Sequence, residues 1–178
     1  LVVAKVAALT GADATSLALV NADQKTRTQV ASFGIAAESR KGRTRSVETG
    51  FHGWVIRTGE TICVEDIQND PRAEASQMRA FDACSVMVAP LSARGRVIGS
   101  LAAYHRHVGA FDPHHLELLS TFAAQAAVAI ENARLHAESA ARMRQWESLQ
   151  QVTAALVSER SPEAVLSLIA QKVGELLD

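Results

Sequence analysis

Cys84 to Leu135 reads CSVMVAPLSARGRVIGSLAAYHRHVGAFDPHHLELLSTFAAQAAVAIENARL. Two apolar strands are joined by a short Arg94-Gly95-Arg96 turn. Gly95 marks the tip of a hairpin and Gly99 lies within its second strand. Asp112-Pro113 then starts a helix, with an acceptor side chain at the N-cap and a proline at the first helical position. Neither Gly nor Pro follows until Ser161-Pro162. Leu116, Leu119, Ala123, Ala126, Ile130, Ala133 and Ala137 alternate by three and four, which predicts a heptad seam. Leu149, Val152 and Leu156 resume it after a polar stretch over 142–145. An unbroken helix to about residue 160 would run ~70 Å at 1.5 Å per residue. A domain of this size has a radius of gyration of only ~14 Å, so the helix is expected to leave the domain and meet a partner. A broken pair of helices folded back on the domain is the alternative. Glu138 and Arg142 stand one turn apart, suited to an ion pair on an exposed face.

Upstream, Leu1 to Leu9 has helical spacing and Gly11 ends it. Ser16–Val20 and Thr26–Phe33 read as strands around Asn21-Ala22-Asp23. A loop from Gly34 to Gly42 and a short strand from Arg43 to Val47 follow. Thr49 is placed to cap a helix over Gly50–Thr58, closed by Gly59, with Phe51, Trp54 and Val55 on one face. Thr61–Val64 reads as a strand, Asp66–Pro71 as a polar loop and Ala73–Phe81 as a short helix.

The chain has 178 residues, 48% of them hydrophobic and 21% charged, with a net charge of −1. That is enough apolar content for a real core, and it carries no global field toward nucleic acid or an anionic membrane. No apolar run approaches the ~20 residues of a membrane helix. Two cysteines, Cys63 and Cys84, do not make a disulfide framework; both fit small core thiols in a reduced, cytoplasmic setting. LIAQKVGELL at 168–177 echoes LVVAKVAALT at 1–10, and Ser161-Pro162-Glu163 is a second helix start.

These pieces together resemble a GAF domain, the small-molecule sensor module of bacterial histidine kinases, diguanylate cyclases and transcriptional activators. TGADATSLALV, GFHGWVIRTGETICVEDIQNDPR, SVMVAPL, GRVIGSLAAY and FDPHHLELLSTFAAQAAVAIENARL occur in the family's order. The resemblance implies an α+β fold: a central antiparallel sheet of five or six strands, helices on its faces and a long C-terminal signalling helix. It implies a sensor domain over 1–135, a closing helix that continues as linker or coiled coil over 113–160, and the first helix of a second such domain over 161–178. It also implies a homodimer through the helix from Pro113 and an output domain further along the same chain. Neither nucleic acid nor direct membrane contact is expected.

By resemblance, a ligand would lie between one sheet face and the segments 51–59 and 66–84. Phe51, Trp54, Asp66, Asp70, Arg72, Met78, Phe81 and Cys84 would line the cover, with Ser85, Met87 and Tyr104 as the floor. The alternative is a cover packed shut by its aromatic residues, leaving a ligand-free dimerising relay. The ligand is unassigned. The family's cyclic-nucleotide pattern is absent, since DACSV follows Phe81. Neither cysteine precedes a His, as bilin attachment usually needs. A haem would need an axial His, and His52, read as a helix-face residue, is followed by no other before His105. His105, His107, His114 and His115 read as a solvated strand end and helix start, because a convincing third metal ligand is missing. The basic run from Arg40 to Arg45 reads as a solvated loop. A third reading draws on free methionine sulfoxide reductases, GAF-like enzymes whose mechanism needs a low-pKa thiolate and a resolving thiol. The family's segment after the nucleophile does not match SVMVAP.

Overall fold

The computed structural model describes residues 2–73 and 83–158, with side chains described as far as residue 150. The chain divides into two units, residues 1–131 and 132–178.

The first unit is built on a six-stranded sheet in the order β3-β2-β1-β6-β5-β4, antiparallel at every pairing. The strands are β1 (Ala14–Val20), β2 (Thr26–Gly34), β3 (Thr44–Ser46), β4 (Ile62–Val64), β5 (Ser85–Ala93) and β6 (Arg96–His105). Helices α1 (Val2–Thr10), α2 (Ala37–Arg40) and α3 (Gly50–Thr58), a 3-10 turn at Ile67–Asn69 and the part of α4 (Pro113–Ser158) up to Glu131 complete it. The expected antiparallel sheet, the closing helix and the hairpin are all present. The segment from Gly34 to Gly42, expected as loop, contains α2. Thr49 occupies the N-cap position of α3, but its hydroxyl makes no capping bond. Asp112 does cap α4, its Oδ1 accepting the His115 amide at 2.8 Å.

Side chains alternate across a strand, and that alternation makes two cores. Val86, Met87, Val88 and Ala89 are all fully buried, because both faces of β5 are covered. Met87, Ala89, Leu91, Leu101 and Ala103 face α1 and α4, packing with Val3, Val6, Phe111, Leu119, Ala123 and Ala127. Val86, Val88, Ala102 and Tyr104 face α3, packing with Phe51, Val55, Ile62, Val64 and Ile67. Gly53 sets how closely α3 approaches. A Cβ there would overlap the Val47 carbonyl oxygen, so only glycine fits without displacing the helix.

The seam expected to meet a partner has a different use in its first half. Leu119, Ala123 and Ala126 are buried on the domain's own sheet, and Leu116 and Ile130 pack against them. A three-four repeat describes any helix that buries one stripe, so spacing alone does not distinguish a sheet from a second helix as the surface it meets. In the second unit the described residues continue α4 as helix to Ser158, without a break over 142–145. Met143, Trp146 and Leu149 are exposed there, and Glu138 pairs with Arg134, one turn earlier, at 3.7 Å. The helix expected over 73–81 (beyond Ala73) and the segment 161–178 lie outside the described residues. Among the described residues no helix is long and apolar enough to cross a membrane.

Candidate functional site: the sheet face under α3

Helix α3 turns Phe51, His52, Gly53 and Val55 inward. Phe51 and Val55 are apolar and need nothing further. His52 is a polar ring in the same buried layer, and three hydroxyls from the sheet meet it. Its Nε2 lies 3.1 Å from Ser16 Oγ and 3.1 Å from Tyr104 Oη. Its Nδ1 lies 2.7 Å from Ser100 Oγ. Ser16 is on β1; Ser100 and Tyr104 are on β6. The pairings Ser16–Ala102 and Ala18–Ser100 put both serines on the α3 face. A buried imidazole without partners would cost several kcal/mol; here both nitrogens are engaged.

The surroundings keep this ring neutral. Burial first, then the positive charges of Arg27, Arg40 and Arg45, lower the His52 pKa from 6.5 to about 3. Burial raises the Tyr104 phenol, and those arginines act against it. Arg27 and Arg40 are themselves almost wholly buried. Arg27 Nη1 donates to the Ser46 carbonyl. Arg40 donates from Nη2 to Ile35 O at 2.6 Å and from Nε to Ala36 O at 3.2 Å, and its guanidinium lies 5.9 Å from the Tyr104 ring centre. The stretch expected to be a solvated basic loop therefore sends one of its arginines into the core. His52, expected as a helix-face residue, is the centre of the polar layer.

At the rim, Arg72 lies over two aromatic rings, 5.1 Å from the Trp54 centroid and 6.0 Å from that of Phe51. Asp70 holds it there, accepting from Arg72 Nε at 2.9 Å and from Nη2 at 2.5 Å. These bonds keep the Asp70 carboxyl below the usual carboxylate range. Trp54, Arg72 and Ala73, with Glu48, Thr49 and Arg57, border a surface cleft of about 270 Å³.

The residues expected at the site therefore separate. Phe51, Trp54, Asp70, Arg72 and Tyr104 converge on the α3 side. Ser85 and Met87 do not belong to its floor. They pair with His105 and Ala103, one residue out of step with Tyr104, so the pleat turns them away. Met87 packs in the α1–α4 core, and Ser85 Oγ donates to His107 O at 2.8 Å. The floor is Val86, Val88, Ala102 and Tyr104. Asp66 is occupied with its own turn, accepting from the Gln68 amide and the Asn69 side chain. Cys84 is half-buried just before β5, its backbone bridging His105 O and the Ile67 amide. Met78 and Phe81 lie outside the described residues.

Cys63, expected as a core thiol, is exposed on edge strand β4. Partial burial, then Glu65 and Asp112, raises its pKa. The four histidines from 105 to 115 sit near Asp13 and Asp112, with His105 Nδ1 3.7 Å from Asp13 and His115 Nδ1 3.0 Å from Asp112. Among the described residues no three potential ligands converge on a metal position.

Comparison with known proteins agrees with this architecture. The family model of the GAF domain matches residues 1–130. The GAF-B domain of DevS from Mycobacterium smegmatis is 26% identical with a TM-score of 0.63, covering 78% of this chain and 93% of that one. The GAF domain of a phosphoenolpyruvate-protein phosphotransferase from Coxiella burnetii shares the fold, with a TM-score of 0.69 at 20% identity over 77% of this chain and 82% of that one. A curated relative from Caenorhabditis elegans, "Probable 3',5'-cyclic phosphodiesterase pde-5", is 27% identical over 104 residues, 57% of this chain. This chain spans about a seventh of that relative's length, 14%. With a single sheet covered by α1 and α4 on one face and α3 on the other, and a family match over most of its length, the chain belongs to the GAF domain family of regulatory sensing modules.

Proposed function

We propose that this chain is the small-molecule or redox sensing domain of a bacterial signalling protein, working in the cytoplasm as a homodimer. A ligand held under α3 and the segment after Asp66 shifts the β5–β6 hairpin against α4, and α4 passes the shift to an output domain in the same chain. The observation that carries this reading is the layer of Ser16, His52, Ser100 and Tyr104 within an apolar core. Hydrocarbon of the same volume would serve stability as well or better. A buried polar layer of this kind supplies donors and acceptors for recognition. The ligand-binding residues we propose are Phe51, Trp54, Asp70, Arg72 and Tyr104, with His52 added. A ligand moves the equilibrium only if it binds two helix arrangements with different affinity.

A second reading, a ligand-free dimerisation and relay module, draws support from the tight packing of Phe51 and Val55, both at most 1% exposed. The thiol-enzyme reading draws no support from Cys63 as an attacking group, because partial burial raises its pKa and attack needs thiolate.

Native mass spectrometry of the purified protein at several concentrations separates the first two. A dimer carrying extra mass supports the sensor, and the mass begins to identify the ligand. A dimer without added mass favours the relay module. A bare monomer at all concentrations counts against the dimeric mechanism. In the full-length protein, Ala133→Pro should uncouple input from output while leaving the sheet folded. Unchanged output would sink the helical relay.

A further inference from the structure

The β5–β6 hairpin turns in two residues. Ala93 pairs with Arg96, and Arg94 and Gly95 between them have φ of 52° and 75°. Such a turn favours Asn, Asp or Gly at its first position, because left-handed backbone strains any other side chain. An arginine stands there instead.

Its guanidinium reaches α4. Arg94 Nε lies 3.9 Å from Glu131 Oε1, and Arg96 Nη2 lies 3.8 Å from the same oxygen. The Glu131 side chain is only 6% exposed, against 65% for Arg94 and 50% for Arg96. A carboxylate withdrawn from water thus faces two largely solvated cations, both at the hairpin tip. Glu131 is also the last residue of the first unit, and α4 runs on through it. The strands that end at this tip carry Val86, Val88, Ala102 and Tyr104, the floor of the α3 face.

We propose that Arg94, Arg96 and Glu131 form a latch that ties the hairpin tip to α4 at the last residue of the first unit. A displacement of β5 and β6 under α3 then reaches Glu131 directly through the turn, and the strained backbone at Arg94 is retained for the reach of its side chain. As a regulatory device the latch rests on the relay reading above, but its physical test does not. Loss of the latch leaves ligand binding to be judged by mass. Absence of a ligand leaves the latch to be judged by exchange.

The test is amide hydrogen exchange on the 178-residue chain. Arg94→Asn relieves the turn, since Asn tolerates the left-handed region, while deleting one charge; Arg94→Asn with Arg96→Gln deletes both. The latch predicts opposite effects in two places. Amides 92–97 of the hairpin exchange no faster than in the parent, whereas amides 127–135 of α4 exchange about two- to fivefold faster. Glu131→Gln, nearly isosteric, should loosen the same helix amides, and combining it with the double arginine variant should add little more. Unchanged exchange over 127–135 in the double variant would overturn the proposal. So would full additivity with Glu131→Gln. Uniform loosening that includes α3 would assign these residues to bulk stability and equally overturn it.

Discussion

Lowering the pH from 7 to 5 should destabilise the domain through one residue, His52. In the unfolded chain its imidazole titrates near 6.5; in the folded protein burial and three arginines hold it to about 3. Between those values the unfolded state binds a proton that the folded state refuses. Stability therefore rises with pH across the window. The contribution is complete above about pH 6.5 and is lost progressively as pH falls toward 3. Each pH unit inside the window is worth about 1.4 kcal/mol, so reaching pH 5 costs about 2 kcal/mol. The chain holds five other histidines, so the measurement is a difference of differences. Urea unfolding of the parent and of His52→Gln, each at pH 7 and pH 5, isolates the residue. Gln is smaller and will lower stability at both pH values, but it cannot titrate. The parent should lose about 2 kcal/mol more than the variant between the two pH values. Equal losses in the two proteins would show that His52 is not held neutral in a closed layer, and the buried polar site would have to be abandoned.

Gly53→Ala should lower stability by roughly 1–3 kcal/mol by urea denaturation, because its Cβ overlaps the Val47 carbonyl oxygen. On an open helix the same change would stabilise by about 1 kcal/mol, so a gain would mean that α3 does not sit this close. Leu119→Ala should cost about 2–5 kcal/mol, as Leu119 is wholly buried under the sheet. Trp146→Ala, at a highly exposed position, should change unfolding by less than about 0.5 kcal/mol. It should nevertheless weaken self-association in sedimentation velocity, and an unchanged dimer would move the partner surface away from this helix. Cys63 should alkylate more slowly at neutral pH than a free peptide thiol and accelerate as pH rises, because its pKa is raised. Fast modification at pH 7 would reopen the thiol-enzyme reading.

Patterns that depend only on neighbours along the chain are legible in the residues themselves. Asp112-Pro113, Gly59 and Arg94-Gly95 each mark an end or a turn through chemistry acting over one to four residues. Alternation and three-four spacing then place strands and helices between those marks. The expected site divides for a related reason. Phe51, Trp54, Asp70, Arg72 and Tyr104, which converge on the α3 side, follow from segment order, and the family resemblance supplies that order. Ser85 and Met87 fall on the wrong face because choosing a face of β5 requires its register against β6. A shift of one residue exchanges the two faces.

His52, Arg27 and Arg40 carry a weaker signal. Glycine beside a histidine in GFHGW is compatible with a helix surface and with a close approach to a sheet. A lone arginine in a strand reads as outward until its partners are known. The partners of His52 lie 36, 48 and 52 residues away. By itself the sequence determined the elements, their order and an apolar content sufficient for a covered sheet, because these arise from local sterics and periodic burial. Only the tertiary structure decided which polar residues share the buried layer and which stripe of α4 meets the sheet. Those outcomes depend on contacts between distant segments, where burial and charge are properties of the assembled fold and not of any one stretch of chain.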